Sequence, residues 1–413
     1  MAGTRENAHR ASIRVGIDAR LRAYRGGGIA EHVTRLVEGL RRLEAAGDDA
    51  RQEVEVVLLE HRKAFRQRRG PSDSAPAAAP PRPRPLWTPP HHRWEGLALP
   101  VEVALRGGVD VLHCPDVVVP WAWPGRAVAT VHDVAFLRRP ELLTDESRRY
   151  YGQVHRSVRR ARRVITVSQH TRRELLALTE VDPEKIVVVP NAVAPRYLDE
   201  DPGRSTGPLG EPEPLDPARQ ERLGLSRPYV LFVSTIEPRK NVPLLLEAFR
   251  ALVDRGEATW RGQEVDLALA GGDGWKSEAV YQKADALGLG NRTRWLGWVE
   301  DVDLVALYRG ATMLAHPALD EGFGMTPLEA MACGTPVVAS RAGSLPEVVG
   351  EAGLLIDPLN ARAWREALAR LLRDPTLRSR LAGQGRARAS AFTVERQASE
   401  TVAVYRAAAG RPS

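Results

Sequence analysis

A chain of 413 residues with 43% hydrophobic and 27% charged side chains is globular in composition and too long for one small core, so two domains or more are expected. A formal net charge of +7 at pH 7 favours an anionic partner without choosing among a phosphate ligand, a membrane face and nucleic acid. No apolar run reaches bilayer length, residues 1–12 lack a hydrophobic signal core, and Cys114 and Cys333 read as separate buried thiols of a reducing compartment.

Residues 1–12 are expected to form a tail. From Ile13 the run IRVGIDARL predicts a buried strand, and a glycine run leads into the amphipathic helical pattern IAEHVTRLVEGLRRL. A strand, a glycine loop and a helix N-terminus suit a phosphate, yet neither GxGxxG nor GxxxxGK[ST] is present. Gly27 and Gly28 therefore read either as ligand-approach positions or as parts of a tight turn. EVEVVLLEH is the next strand. The basic, proline-rich stretch that follows, about 66–93, is not expected to form regular structure; it reads equally as a loop over an active site or an inert insertion. His91 and His92 lack suitably spaced partners and do not suggest a metal site.

VDVLHCPDVVVP and RAVATVHDVAFL predict two more strands, the second ending at His132 and Asp133. Ligands gather at strand C-termini in open α/β sheets, where a histidine exchanges protons or donates to a sugar or phosphate. The alternative is a satisfied strand-end histidine. RRYYGQVHRSVRRARR predicts a basic helix with Tyr151, Val154 and Val158 as a narrow apolar stripe, either resting on anionic lipid or belonging to a solvated helix. The strand VITVS, a helix capped by Ser168, and the strand and turn of KIVVVPNAV complete the first half. Residues 197–224, rich in Pro, Gly and acids, read as a domain linker.

RPYVLFVSTIEPRKNVPLLLEAFRALV then predicts a strand, a basic turn and a helix. Arg239 and Lys240 at the helix entrance form a candidate diphosphate clamp, arginine offering a fork of donors and lysine a point charge. VDLALAGGDGW repeats the strand-to-glycine turn, and RTRWLGWV, TPVVAS and GLLIDP supply further strands. SLPE at 344–347 reads as a capping box, and residues 376–409 as mostly helical. The rest is organised around AHPALDEGFGMTPLEAMACGTPVVA, residues 315–339, in which Glu321 and Glu329 flank a turn broken by Gly322 and Gly324. Thr326 is expected as helix N-cap, Pro327 as the first helical residue and Glu329 as the capping-box acid, with Leu328, Met331 and Ala332 facing the core. The amides of such a first turn favour a phosphate or carboxylate. The competing reading makes Glu329 only a cap and Glu321 a surface acid. Two series of strand and helix units predict an α/β chain of two doubly wound domains facing across a deep cleft.

Together these motifs resemble glycosyltransferase family 4, retaining enzymes of GT-B architecture, and its bacterial mannosyltransferase-type members in particular. The resemblance rests on GGGIAEHV at 26–33, TVHD at 130–133, VITVSQHT at 164–171, VVVPNAV at 187–193, STIEPRKN at 234–241, LAGG at 269–272, EGFGMTPLE at 321–329 and GTPVV at 334–338. It implies two Rossmann-like domains: an acceptor-side domain over 1–222, a nucleotide-sugar domain over 223–391, and a C-terminal helix, 392–413, returning to the first. It implies a hexose, foremost mannose from GDP-mannose, moving from a nucleotide-sugar donor to a hydroxyl of a glycan or lipid-linked saccharide acceptor. Carried over to this sequence, Glu321 lies near the donor sugar and Glu329 binds the nucleotide ribose. Lys240 and Arg239 neutralise the diphosphate, His132 contacts sugar or phosphate, and the amides of Gly27 and Gly28 close on the diphosphate. Gly324, Met325 and Thr326 belong to the same donor-binding turn. No cofactor and no metal are expected, because cations and a helix end stabilise the departing phosphate charge. The implied location is cytoplasmic, with peripheral contact to the inner face of an anionic membrane.

Two departures from the family stand out: Ser234 and Thr235 occupy the place of an arginine ahead of the clamp lysine, and Ala192 follows Asn191 where relatives often have glycine. UDP- and dTDP-sugars fit the same clamp, and a GT-B epimerase or phosphorylase is the neighbouring enzyme reading. A nucleic-acid-binding protein or a catalytically silent scaffold is the reading of a different class. The chain carries no nucleic-acid recognition signature or interleaved stacking aromatics, so no nucleic acid is expected as partner.

Overall fold

The computed structural model describes residues 12–23, 27–63, 83–106, 108–138, 145–198 and 209–411. The expected tail up to residue 11, the proline-rich stretch up to residue 82 and the linker centre at 199–208 lie outside the described residues. The chain divides into two compact units, one of Met1–Ala192 with Val394–Ser413 and one of Val193–Thr393.

In the first unit, seven strands form one sheet: β1 (Ile13–Asp18), β2 (Val54–His61), β3 (Pro83–Leu86), β4 (Val111–Cys114), β5 (Arg126–Val131), β6 (Arg163–Thr166) and β7 (Ile186–Val188). All pair in parallel, in the order β3-β2-β1-β4-β5-β6-β7. Their β-branched runs suit a sheet covered on both faces, and Val15, Ile17, Val111, Val128 and Val164 are buried accordingly. The strand β3 corrects the expectation of irregular structure through PRPL. Two prolines are tolerated there because β3 lies at the sheet edge, where a missing N–H costs no interior ladder bond.

Helix α1 (Gly28–Ala45) buries Val33, Leu36, Val37 and Leu40 on this sheet. The C-terminal helix, Val394–Ala408, crosses α1 so closely that a Cβ on Gly39 would lie 1.9 Å from the Val394 carbonyl oxygen, and only glycine fits. Helix α2 (Glu95–Leu105) follows β3. The basic stretch forms two short helices, Asp145–Tyr151 and Val154–Arg160, rather than one. Val154 and Val158 are wholly buried in the core, so the expected stripe faces inward.

The second unit has β8 (Tyr229–Val233), a small antiparallel hairpin of β9 (Thr259–Trp260) and β10 (Gln263–Glu264), then β11 (Asp266–Ala270), β12 (Thr293–Gly297), β13 (Met313–His316), β14 (Val337–Ser340) and β15 (Leu354–Ile356). Its six parallel strands run β12-β11-β8-β13-β14-β15. Helices α3 (Val242–Asp254), α4 (Asp301–Gly310) and α5 (Met325–Ala332) connect them, and Val230, Phe232, Leu245, Phe249, Leu267 and Trp364 fill the core. Both sheets thus have the doubly wound Rossmann order. Strand order reverses between β1 and β4 in one unit and between β8 and β13 in the other, and ligands of such sheets bind beyond the strand ends at that reversal.

Candidate active site

In the second unit the basic turn leaves β8 and the acidic loop leaves β13, the two strands of the reversal. The β8 exit is fixed by a close approach: a Cβ on Gly271 would lie 1.8 Å from the Ser234 carbonyl oxygen, so glycine is required opposite the serine that departs from the family pattern. A short turn, Pro238–Lys240, then reaches Asn241, which takes the left-handed backbone (φ 55°) that asparagine tolerates better than most residues. Its Nδ2 donates to the carbonyls of Pro317 (3.2 Å) and Pro358 (2.8 Å), tying the basic turn to the loop after β13.

That tie places three basic side chains on one carboxylate. Lys240 Nζ donates to Glu321 Oε1 at 2.5 Å, and His316 Nε2, from the last residue of β13, donates to the same oxygen at 2.9 Å. Arg239 lies 3.6 Å from Oε2, donates to the Asp320 carbonyl (3.3 Å) and pairs with Glu237 (3.2 Å). Burial by itself drives the Glu321 carboxyl up. Lys240, then His316 and Arg239, reverse this and hold it well below the usual carboxylate range. His316 is lowered, because burial outweighs its hydrogen bond to Glu321.

The Glu321 backbone is also held from behind. Ser344 donates to its carbonyl through both N–H (3.0 Å) and Oγ (2.9 Å). Gly343 has φ 59°, and a Cβ there would stand 2.6 Å from both N and O of Glu321. This corrects the capping box expected at SLPE: the Ser344 hydroxyl braces the acidic loop instead of its own helix, which has no side-chain cap.

The helix after Glu321 also starts differently from expectation. Gly324, at φ 102°, is the N-cap, and no side chain caps the helix. A left-handed glycine turns the chain abruptly, so Met325 is the first helical residue, Thr326 the second and Pro327 the third. Proline is accommodated because first-turn N–H groups have no intrahelical partner. Glu329 therefore closes no capping box. It is buried on α5 and accepts a hydrogen bond from the Tyr308 hydroxyl on α4 at 3.1 Å. Leu328, Met331 and Ala332 are buried, as the pattern predicted.

In the first unit, His132 directly follows β5, with Nε2 donating to the Pro115 carbonyl (2.9 Å). Burial lowers its pKa despite Asp116 and Asp133, so the ring is neutral at pH 7 and presents Nδ1 as its lone-pair nitrogen. His32 of α1 meets it edge-on, with ring centroids 4.7 Å apart, and its Nδ1 donates to Asn191 Oδ1 at 2.8 Å. Burial, then the neighbouring His132, holds His32 well below the ordinary range. Behind them, burial pushes His113 down to about 3, bonded to Tyr405 (2.7 Å) and Thr130 (2.8 Å). His32 links His132 to the helix whose N-terminus holds the two candidate glycines. Gly27 is extended (φ −138°), and a Cβ on Gly27 or Gly28 meets nothing within 4 Å. Neither backbone nor packing within the described residues demands glycine there.

The structure thus gathers Arg239, Lys240 and Glu321 into one cluster beside the loop and helix of Gly324, Met325, Thr326 and Glu329, while Gly27, Gly28 and His132 belong to the first unit. Sequence reasoning missed His316, Gly343, Tyr308 and His32. A histidine closing the strand before Pro317 and a histidine one turn after a glycine run were the available signals. Among the described residues, no group of three or more His, Cys, Asp or Glu side chains is disposed to hold a metal ion. Both cysteines are buried free thiols.

Two family profiles each match part of the chain: Glycosyltransferase Family 4 over residues 26–197 and Glycosyl transferases group 1 over residues 217–388. The chain is 32% identical to O-antigen chain mannosyltransferase B of Escherichia coli, over 73% of this chain and 76% of that protein. It is 33% identical to a D-inositol 3-phosphate glycosyltransferase of Actinosynnema mirum, over 68% and 67% of the two chains. Among solved structures, a sucrose-phosphate synthase from Thermosynechococcus elongatus shares its fold at a TM-score of 0.69 and 21% identity, covering 96% of this chain and 98% of that one. WaaG, a glycosyltransferase involved in lipopolysaccharide biosynthesis, does so at 0.66 and 16%, covering 95% and 99%. Two Rossmann-like parallel-sheet units of the GT-B class, joined to both family matches and to relatives of this identity, place the chain in one family: it belongs to the family 4 glycosyltransferases.

Proposed function

We propose that this enzyme transfers mannose from GDP-mannose to a hydroxyl of a glycan or lipid-linked saccharide, with retention at the anomeric carbon and in the cytoplasm. The observation that carries the sugar assignment is the 32% identity to O-antigen chain mannosyltransferase B over three-quarters of that protein. The second unit takes the donor and the first the acceptor.

In this reading the donor diphosphate exchanges for Glu321 as the partner of Lys240 and Arg239. Glu321, released toward the sugar but still held through its backbone by Ser344, receives hydroxyls of the hexose. First-turn amides of α5 at Gly324, Met325 and Thr326 face the phosphates. Glu329, oriented by Tyr308, receives the ribose hydroxyls. His132 offers Nδ1 to a sugar hydroxyl, and the open glycines at 27 and 28 let backbone amides reach the diphosphate. The acceptor oxygen bonds to the anomeric carbon on the face from which the sugar–phosphate bond breaks. Its proton passes to the departing diphosphate, whose charge the two cations stabilise.

The inositol phosphate glycosyltransferases among the relatives favour a second acceptor, a small phosphorylated polyol. Calorimetry with GDP, GDP-mannose, UDP-glucose, UDP-GlcNAc and dTDP-rhamnose tests the donor. Binding confined to GDP and GDP-mannose is expected, and selective binding of another nucleotide overturns the mannose assignment. With the bound donor, product from D-inositol 3-phosphate rather than from a saccharide would shift the acceptor to the second reading, and an inverted anomeric centre by NMR would exclude retention.

A further inference from the structure

Of the three basic groups on Glu321, two are placed to leave it and one is not. Lys240 and His316 meet the same oxygen, Oε1, while Arg239 faces Oε2. Lys240 and Arg239 are long side chains on a short turn, and they carry the charge that a diphosphate attracts. His316 is the last residue of β13, paired in register with Ala339 of β14, and the Pro317 carbonyl just beyond it accepts from Asn241. Its ring is 1% exposed and lies nearly parallel to that of Phe232 (14°, centroids 6.4 Å apart). Only two torsions separate this ring from the sheet, so it cannot follow the cations.

The ring also holds a nitrogen without a task. A carboxylate only accepts, so Nε2 carries the proton donated to Glu321 and Nδ1 is a lone pair. Nδ1 is buried with no hydrogen-bond partner among the described residues. Buried polar atoms are normally satisfied, and an exception inside a site calls for a role there. The charged groups facing the ring are Glu321 from its own loop and Lys240 and Arg239 from the turn after β8, while Phe232 of β8 and Ala339 of β14 are apolar. Both cations oppose a second proton on the ring, and Glu321 favours it.

We propose that His316 is the positioning residue of Glu321 in the donor complex: it keeps the carboxylate when a diphosphate draws off Lys240 and Arg239, and it takes a proton from solvent at Nδ1 as it does so. This rests on the reading of those two cations as the donor clamp. A diphosphate neutralises the charges that had opposed the proton, and the imidazolium becomes the remaining counter-charge of a buried carboxylate. Its Nε2 then gives Glu321 a charge-assisted hydrogen bond from a rigid strand end, which fixes the carboxylate toward the sugar.

Calorimetry of the full chain with GDP-mannose in PIPES and in Tris tests this, with UDP-glucose in its place where that is the donor bound. Neither diphosphate diester titrates near neutrality, so the difference in heat between the buffers counts protons taken up by the protein. Uptake approaching one proton per donor is expected as pH falls from about 8 to about 6, with affinity rising by up to about tenfold per pH unit. H316Q still donates to Glu321 but holds no second proton. It should bind the donor without uptake in that range and keep turnover, read as nucleotide release, within about tenfold of the parent. H316L should lose about a hundredfold in turnover while its donor affinity at about pH 8 stays within about threefold. Melting temperatures near the parent's show that the variants are folded, and where H316L does not fold, H316Q and the buffer comparison decide. Donor binding without proton uptake, uptake that persists in H316Q, unchanged turnover in H316L, or equal losses of turnover and donor affinity in H316L would each overturn the role of His316 and leave the donor clamp standing. Failure of the parent to bind any nucleotide sugar overturns the clamp, and the role of His316 with it.

Discussion

Around His132 in the first unit and around Glu321 in the second, burial is the largest influence on ionisation, yet the two clusters end in opposite charge states. His32, His113 and His132 are lowered by burial and have no carboxylate strong enough to reverse it, so their rings are neutral. Glu321 is equally disfavoured as an anion by burial, but Lys240, His316 and Arg239 converge on it and keep it charged. One sheet end therefore presents neutral imidazole rings, beside Asp116 and Asp133, as hydrogen-bonding groups. The other holds two cations on one buried carboxylate, the cations that the proposed function assigns to the diphosphate.

The largest expected effect comes from Glu321→Gln. Turnover with the cognate donor should fall by about 10²- to 10³-fold, as when a group that meets developing charge is removed. GDP should bind no more weakly and could tighten, because the competing carboxylate is gone from Lys240 and Arg239. Equal losses in kcat and GDP affinity would reduce Glu321 to a structural ion pair and erase the contrast drawn above.

Gly343→Ala should come next. Its Cβ would lie 2.6 Å from the Glu321 backbone at φ 59°. A cost of about 1–3 kcal/mol in urea unfolding is expected, with a fall in kcat as Glu321 is displaced. Unchanged stability and turnover would show that the loop yields easily.

Acidification separates the two clusters. A histidine lowered from 6.5 lets the unfolded chain bind its proton first, so its stabilisation is full above about pH 6.5 and declines as pH falls toward its folded value. Each such histidine contributes a slope of up to about 1.4 kcal/mol per pH unit. Glu321, lowered from 4.5, stabilises above that value and loses its contribution only as pH falls through its far lower folded value. Hydrogen exchange should show the first unit, with three such histidines, loosening between about pH 6.5 and 4.5 more than the surroundings of Glu321, where His316 is the histidine lowered in the same way. Parallel loosening of both would break the comparison.

The smallest stability effect is expected at Gly27→Ala and Gly28→Ala. Open space around both predicts unfolding free energies within about 0.5 kcal/mol of the parent. The KM for the donor should nevertheless rise, by about tenfold, if backbone amides there approach the diphosphate. An unchanged KM would leave these glycines without a role in the donor complex.

The strand and helix series and the Rossmann order were readable because fully buried parallel strands are β-branched runs separated by helical periodicity. Lys240 and Glu321 were found through motif spacing. Their mutual contact was not, because it depends on Asn241 reaching the carbonyls of Pro317 and Pro358 across long sequence separations. Thr326 misled because TPLE has capping-box spacing, and nothing local reveals that Gly324 has already turned the chain. Ser344 misled likewise, its hydroxyl engaged by a loop more than twenty residues upstream. Tyr308 and His316 carry no motif at all; their roles arise from packing α4 against α5 and from where β13 ends.

Gly39, shaped to receive the backbone of Val394, also sets an order of events during synthesis. Residues 193–393 all leave the ribosome before the helix that must lie on α1. Until then the apolar seam of α1 lacks Ala398, Val402 and Tyr405, and His113 lacks its phenolic partner. The unit translated first is thus the last to be completed, and its half-built seam is the surface a nascent chain must shield while the second unit is already whole.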